Sequence, residues 1–141
     1  MTTIDFYTHC ADRHEVAAKL VLKAWAQHGS VRVLTEDAAE TDALDRLLWQ
    51  VPATGFTPHC RLGSPLAAET PIIVDHAQEH AGPAVVLINL HPSPPPFFSR
   101  FERLADIVGA DDRFVAAGRE RWRFYQTRGY ELRPHNLSER N

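Results

Sequence analysis

The sequence AVVLINLHPSPPP, residues 84 to 96, contains the longest apolar run of the chain and ends it abruptly. Residues 84 to 90 are apolar apart from Asn89, which predicts a central strand buried on both faces, as in a parallel sheet. Four prolines in the next six residues rule out a regular helix or strand there, so we expect a turn or a short polyproline II segment. The apolar run is also far too short to span a membrane.

Strand patterns alternate with helix patterns on both sides of this segment. The other predicted strands are Thr3–Thr8, Ser30–Thr35, Pro71–Val74 and Asp106–Val108. The predicted helices run from a cap at Asp12, supported by Glu15, to Gly29; over Asp37–Trp49; over Phe97–Leu104; and from Asp111 or Asp112 to Gly129. This alternation predicts one α/β domain over residues 1–141, with a mostly parallel twisted sheet covered by helices on both faces.

Composition and charge narrow the class of partner. The N-terminus has no secretory signal, and the two cysteines, Cys10 and Cys60, favour a reducing cytoplasm. Residues 100–141 carry nine arginines, no lysine and seven acidic side chains, whereas the net charge of the whole chain is -3. A local arginine surface on an acidic protein favours a small acidic partner over strong direct binding of nucleic acid. Binding of single-stranded DNA through arginine and aromatic side chains is the weaker alternative.

Motifs for catalysis or cofactor binding are weak. The first predicted strand runs into residues 9–12, HCAD, without the glycine that dinucleotide and P-loop sites need. The segment His76–His80 matches H-x-x-E-H, a zinc motif that works only on a helix, and Gly82 follows too soon for one. The pairs His9-Cys10 and His59-Cys60 leave a Rossmann-like enzyme or a metal-binding domain as the alternative function. We expect no metal, no cofactor and no catalytic activity.

Two segments together indicate a family. One is LDRLLW, residues 44–49, followed by FTPH, residues 56–59; the other is GRERWRFY, residues 118–125, followed by Gly129-Tyr130. With the N-terminal FYTH strand, they resemble the chi subunit of bacterial DNA polymerase III holoenzyme over nearly the whole chain, although residues 71–80 match poorly. The resemblance implies a three-layer α/β/α, Rossmann-like fold without a nucleotide site. It also implies a non-catalytic accessory subunit of the clamp loader, located at the replisome.

The resemblance implies two protein partners, of which the first is the psi subunit of the clamp loader. In the family, the segment after the second helix helps to form the psi-docking surface. An exposed apolar patch is therefore expected from Trp49, Pro52, Phe56 and Pro58. The alternative is that Trp49 ends a core face while Phe56 closes a sheet edge. A helicase is a further candidate partner at the Trp49 surface.

The second implied partner is the acidic C-terminal tail of single-stranded DNA-binding protein. An acidic tail ending in an aromatic residue needs a guanidinium for its carboxylate and an apolar slot for its ring. On the last long helix, the following residues adjoin on one face: Val115, Arg119, Trp122, Arg123 and Gln126. Residues 114, 118 and 125 form the neighbouring stripe, which is expected to face the core.

Within that site, Arg119 and Trp122 are expected to supply the cation and the slot, and Val108 the floor. Some family members carry a lysine at the position of Val115. Here Arg123 or Arg113 substitutes for it, or the affinity is lower. The alternative for the whole face is a solvated arginine surface on which Trp122 is half buried.

Overall fold

The computed structural model describes residues 2–50, 58–67, 70–80 and 85–139. Within these residues the strands are β1 (Thr3–Cys10), β2 (Val31–Leu34), β3 (His59–Cys60), β4 (Ile72–Asp75), β5 (Val86–Asn89), β6 (Arg103–Gly109) and β7 (Leu132–Asn136). The α-helices are α1 (Arg13–His28), α2 (Ala38–Gln50) and α3 (Asp112–Thr127), and short 3-10 turns cover Phe98–Arg100 and Leu137–Glu139.

The seven strands form one parallel sheet in the order β3-β4-β2-β5-β6-β1-β7. Strand β5 lies between β2 and β6, and all four of its residues are buried, as its apolar sequence predicts. Helices α1 and α2 pack on one face of the sheet, where Val21 and Leu48 join the strand core. Helix α3 packs on the other face, where Tyr125 is fully buried against Phe6. The prediction of a mostly parallel α/β fold is therefore confirmed.

The helix boundaries follow from local capping. The Asp12 carboxylate accepts a hydrogen bond from the Glu15 amide (3.1 Å), and Gly29 ends α1 at a φ of 84° while its amide donates to the Trp25 carbonyl. Helix α3 begins in the same way, because Asp111 accepts a hydrogen bond from the amide of Arg113 (3.3 Å). These interactions involve residues four or fewer positions apart, which explains why the sequence identifies them.

The predicted helix over Phe97–Leu104 is wrong. Only residues 98–100 form a helical turn, and Arg103 and Leu104 belong to β6. Three phenylalanines of the segment, Phe97, Phe98 and Phe101, are buried in the core on the α3 face of the sheet. Because β6 pairs with both β1 and β5, its tertiary contacts override the helix pattern of the preceding residues.

Two edge strands, β3 and β7, are missing from the sequence prediction. Strand β3 has only two residues, and β7 contains Pro134, which lacks an amide donor and is typical of an edge. The described strand β5 also begins later than predicted, and Ala84 lies outside the described residues. None of the described helices is long and apolar enough to cross a bilayer.

Candidate protein-binding sites

A cavity of about 480 Å³ lies between α3 and the strands β1 and β6. We call it the tail cavity; its lining is Phe6, Thr8, His9, Val108, Val115, Gly118, Arg119, Trp122, Arg123 and Gln126. All five residues that the sequence assigns to the tail site are in this lining, together with Gln126. The sequence placed them on one helix face and one strand; the structure shows that they surround a single concave space. Their role in binding stays a prediction.

The floor of the tail cavity is apolar and closely packed. The ring of Trp122 meets the edge of Phe6 at a centroid distance of 5.0 Å, and the two planes are inclined by 71°. Val108 is buried directly beneath α3, at the position of Gly118. Any side-chain carbon on Gly118 would lie 2.9 Å from both methyl groups of Val108, so glycine is what allows this close approach. The floor can therefore receive an apolar ring.

The rim of the tail cavity is cationic. Arg119 and Arg123 are both exposed, and Arg123 forms an ion pair with Glu120 at 3.0 Å on the helix surface. Arg113 is not in this lining: its guanidinium lies 4.5 Å from the centroid of the Phe114 ring and borders a smaller cavity of about 150 Å³. Of the two arginines proposed to replace the family lysine, Arg123 lines the tail cavity and Arg113 does not, and the replacement itself stays a prediction.

A buried ion pair holds α3 to the sheet. Arg121 donates to the Asp106 carboxylate from Nε (2.9 and 3.0 Å) and from Nη2 (2.8 Å), and its Nη1 donates to the carbonyl of Pro92 (2.9 Å). Asn89 donates to the same carboxylate at 3.3 Å. Asp106 is completely buried and Arg121 nearly so. Arg121 therefore does not belong to the arginine surface expected over residues 100–141. The signal in the sequence is Asp106, because an aspartate inside an apolar strand requires a buried partner.

Trp49 is the exposed residue in the described part of the proposed psi-docking surface. The Trp49 side chain is 57% exposed at the end of α2, and its ring lies 4.9 Å from that of His59. His59 Nε2 is in turn 3.1 Å from a carboxylate oxygen of Asp45, which ties β3 to α2. Pro58 is half-buried, whereas Pro52 and Phe56 fall in residues 51–57, outside the described residues. The exposure of Trp49 contradicts the part of the alternative in which it ends a core face, and the part about Phe56 lies outside the described residues.

The His and Cys pairs do not come together. Cys10 ends β1 and Cys60 ends β3, and the sheet order places those strands five positions apart, about 24 Å. Among the described residues, no three His, Cys, Asp or Glu side chains form a group that could hold a metal ion. Residues 76–80 are irregular rather than helical, as the sequence predicts. Burial raises the pKa of the Cys10 thiol to about 11, although Arg13 and a backbone hydrogen bond oppose that shift, so the thiol is a poor nucleophile.

Comparison with known proteins gives one family. The model of the family described as "DNA polymerase III chi subunit, HolC" matches residues 1–133. The DNA polymerase III subunit chi of Pseudomonas aeruginosa is 34% identical over 97% of this chain and 98% of its own length. The proteins of the same name from Haemophilus influenzae and Escherichia coli K12 are 28% and 26% identical, over 87% and 84% of this chain and 86% and 81% of their own lengths.

Proposed function

Because the chain belongs to the DNA polymerase III chi subunit family and so has a role in DNA replication, we propose that it is a non-catalytic linker within the replisome. One surface binds the acidic C-terminal tail of single-stranded DNA-binding protein, and the other binds the psi subunit of the clamp loader. The observation that carries the proposal is the tail cavity, in which an apolar floor lies beside two exposed arginines.

The tail cavity suits a peptide that ends in an aromatic residue. The terminal ring packs against Phe6, Val108 and Trp122, and the terminal carboxylate pairs with the guanidinium of Arg119. Such a pairing is charge-assisted and can be bidentate, which makes it stronger than a neutral hydrogen bond. Arg123 adds positive charge to the rim one helical turn from Arg119, although Glu120 competes for its guanidinium at 3.0 Å. We therefore expect micromolar affinity, about -7 to -8 kcal/mol, that falls as salt concentration rises.

The psi subunit is proposed to dock on the Trp49 surface. An exposed indole packed beside a buried imidazole is the kind of aromatic anchor that dominates binding energy at protein interfaces. Residues 51–57, which contain Pro52 and Phe56, adjoin this anchor in the sequence and are proposed to complete the surface. Since α2 and α3 lie on opposite faces of the sheet, a partner at Trp49 leaves the tail cavity open.

The tail interaction is tested with a synthetic peptide of several aspartates followed by a C-terminal phenylalanine. Calorimetric titration should give micromolar binding to the unmodified chain and binding roughly tenfold to a hundredfold weaker, still measurable, to Arg119→Ala. The matched control is Arg128→Ala, which removes an exposed arginine of the same helix region that lies over Phe124, outside the tail cavity. Equal losses in both variants would show that only net charge matters, and the assigned pocket would be wrong.

A double-mutant cycle tests the specific pairing with Arg119. Replacing the terminal carboxylate of the peptide by an amide should weaken binding about as much as Arg119→Ala does. Combining the two changes should add little, because a contacting pair is lost only once. Fully additive losses would mean that Arg119 and the end of the tail do not meet.

The two proposed partners are separated by crossed variants. Trp49→Ala should weaken binding of purified psi subunit by about 2 kcal/mol or more and leave peptide binding unchanged. Trp122→Ala should have the opposite effect. Thermal unfolding of both variants checks that the fold persists. If Trp49→Ala leaves psi binding intact, the docking surface lies elsewhere.

A further inference from the structure

His9 has an unusual backbone conformation at the end of β1. Its φ is 59°, and no other non-glycine residue in the described segments has a positive φ. Residues other than glycine adopt this left-handed backbone conformation at an energetic cost. The conformation therefore persists only where the surrounding structure enforces it. The pairing of β1 with β6 shifts register between Tyr7 and Cys10, which places His9 within a β-bulge.

The bulge changes the side of the sheet on which His9 lies. In β1, Ile4 and Phe6 belong to the core beneath α3, whereas Tyr7 packs on the opposite core. Simple alternation would send His9 to the same side as Tyr7. Instead, Thr8 and His9 both line the tail cavity, on the side of Phe6. Bulges commonly re-aim one side chain beside a functional site, and this bulge adds an imidazole to the rim.

The position of His9 along the cavity follows from the Phe6–Trp122 contact, the spacing of residues in β1 and the direction of α3. Phe6 contacts Trp122, toward the C-terminal end of α3, and we call this the lower end of the cavity. His9 lies three residues further along β1, about 10 Å away. Helix α3 runs back along the sheet from the end of β6, so its first residue in the lining, Val115, marks the upper end. His9 Nδ1 is 3.0 Å from the Thr8 hydroxyl, and Nε2 lies on the opposite side of the ring. The charged groups that share the lining with His9 are Arg119 and Arg123.

We propose that His9 is a second docking residue of the tail cavity, which binds an acidic side chain upstream of the terminal aromatic residue. This inference rests on the proposed binding of the acidic tail. It adds the direction in which the tail runs along the cavity. The terminal ring lies over Trp122 and Phe6, the terminal carboxylate meets Arg119, and the preceding acidic residues run toward Val115 and His9. The imidazole therefore selects for acidic residues at a defined distance from the end of the peptide.

Substitutions at His9 separate charge from backbone conformation. His9→Asn removes the ring but tolerates a positive φ, and His9→Gly removes it with no conformational cost. Both should bind the aspartate–phenylalanine peptide about threefold to tenfold more weakly than the unmodified chain. His9→Glu should bind more weakly still, whereas His9→Lys should stay within about twofold of the unmodified chain. The difference between Glu and Lys should shrink as salt is added.

Single Asp→Asn changes in the peptide test in which direction it lies, when their effects on binding to the unmodified chain and to His9→Gly are compared. One of these changes should weaken binding to the unmodified chain and have little further effect on His9→Gly. The inference is overturned if all four His9 variants bind within twofold of the unmodified chain while Arg119→Ala weakens binding by roughly tenfold or more; the tail site then stands without His9. If the unmodified chain does not bind the peptide at all, the proposed tail site fails as well.

Discussion

Replacement of Gly118 by alanine tests how closely α3 must approach the sheet. The added Cβ would lie 2.9 Å from both Cγ1 and Cγ2 of Val108, which is closer than carbon atoms pack in proteins. The neighbour is a buried, β-branched residue of β6, and both of its methyl groups are affected, so rotation about one bond does not relieve the contact. Helix α3 must therefore move away from the strand.

Two opposing effects determine the change in stability. Overpacking of this kind costs about 1 to 3 kcal/mol, whereas alanine is better than glycine inside a helix by about 1 kcal/mol. The free energy of unfolding should therefore fall by about 0 to 2 kcal/mol. Binding should suffer more, because Val108 and Gly118 both line the tail cavity and the displacement separates its two walls. We expect peptide affinity to fall by about tenfold or more.

A background without the two methyl groups provides the matched control. In Val108→Ala, the Gly118→Ala substitution no longer meets an obstacle and should stabilise the chain by about 1 kcal/mol. Urea unfolding of the four chains gives the coupling between the two positions, which should be about 1 to 3 kcal/mol in favour of the double variant. If Gly118→Ala has the same effect in both backgrounds, the close approach to Val108 is not what requires glycine.

Three further predictions concern buried polar groups. Burial disfavours the charge of Glu40, but hydrogen bonds from His14 and the Glu36 amide, with the charge of Arg13, lower its pKa below the ordinary 4.5. The stabilisation is therefore present above pH 4.5 and lost as pH falls through the lowered pKa, and urea unfolding between pH 3 and 7 should show a flatter acid dependence in Glu40→Gln. Asp106→Ala should reduce the free energy of unfolding by about 3 to 5 kcal/mol in the same assay, because it leaves Arg121 buried without its carboxylate. Mass spectrometry after iodoacetamide treatment at pH 8 should show Cys10 unlabelled in the folded chain and labelled in urea, since its pKa of about 11 and its burial both suppress reaction.

The features that the sequence predicts correctly are those set by neighbouring residues. The caps at Asp12 and Asp111, the left-handed Gly29 and the apolar run of β5 each depend on a few consecutive positions. The arrangement of Val115, Arg119 and Trp122 on one face likewise follows from helical periodicity. For the same reason, the sequence predicts which residues of α3 line the tail cavity.

The features that the sequence does not predict depend on contacts between distant segments. Strand β7 is assigned only because it pairs with β1, more than 120 residues earlier. Arg121 looks like its exposed neighbours until β6 brings Asp106 against it. Thr8 and His9 form part of the strand side of the tail cavity because β1 lies beside β6 and contains a bulge. No residue pattern in the sequence predicts that pairing or that bulge.

The separation of the two proposed surfaces determines how a linker of this kind works. Trp49 lies beside β3, four strand positions from β6, so the tail cavity is displaced by about 19 Å across the sheet and lies on its opposite face. Between them lie β4, β2 and β5, whose residues are almost all buried. We therefore expect the two proposed partners to bind without coupling of their affinities, because coupling requires an element with two arrangements. The gain is then one of effective concentration: a partner held at the Trp49 surface stays close to whatever the tail cavity binds, even though each contact is only moderately strong.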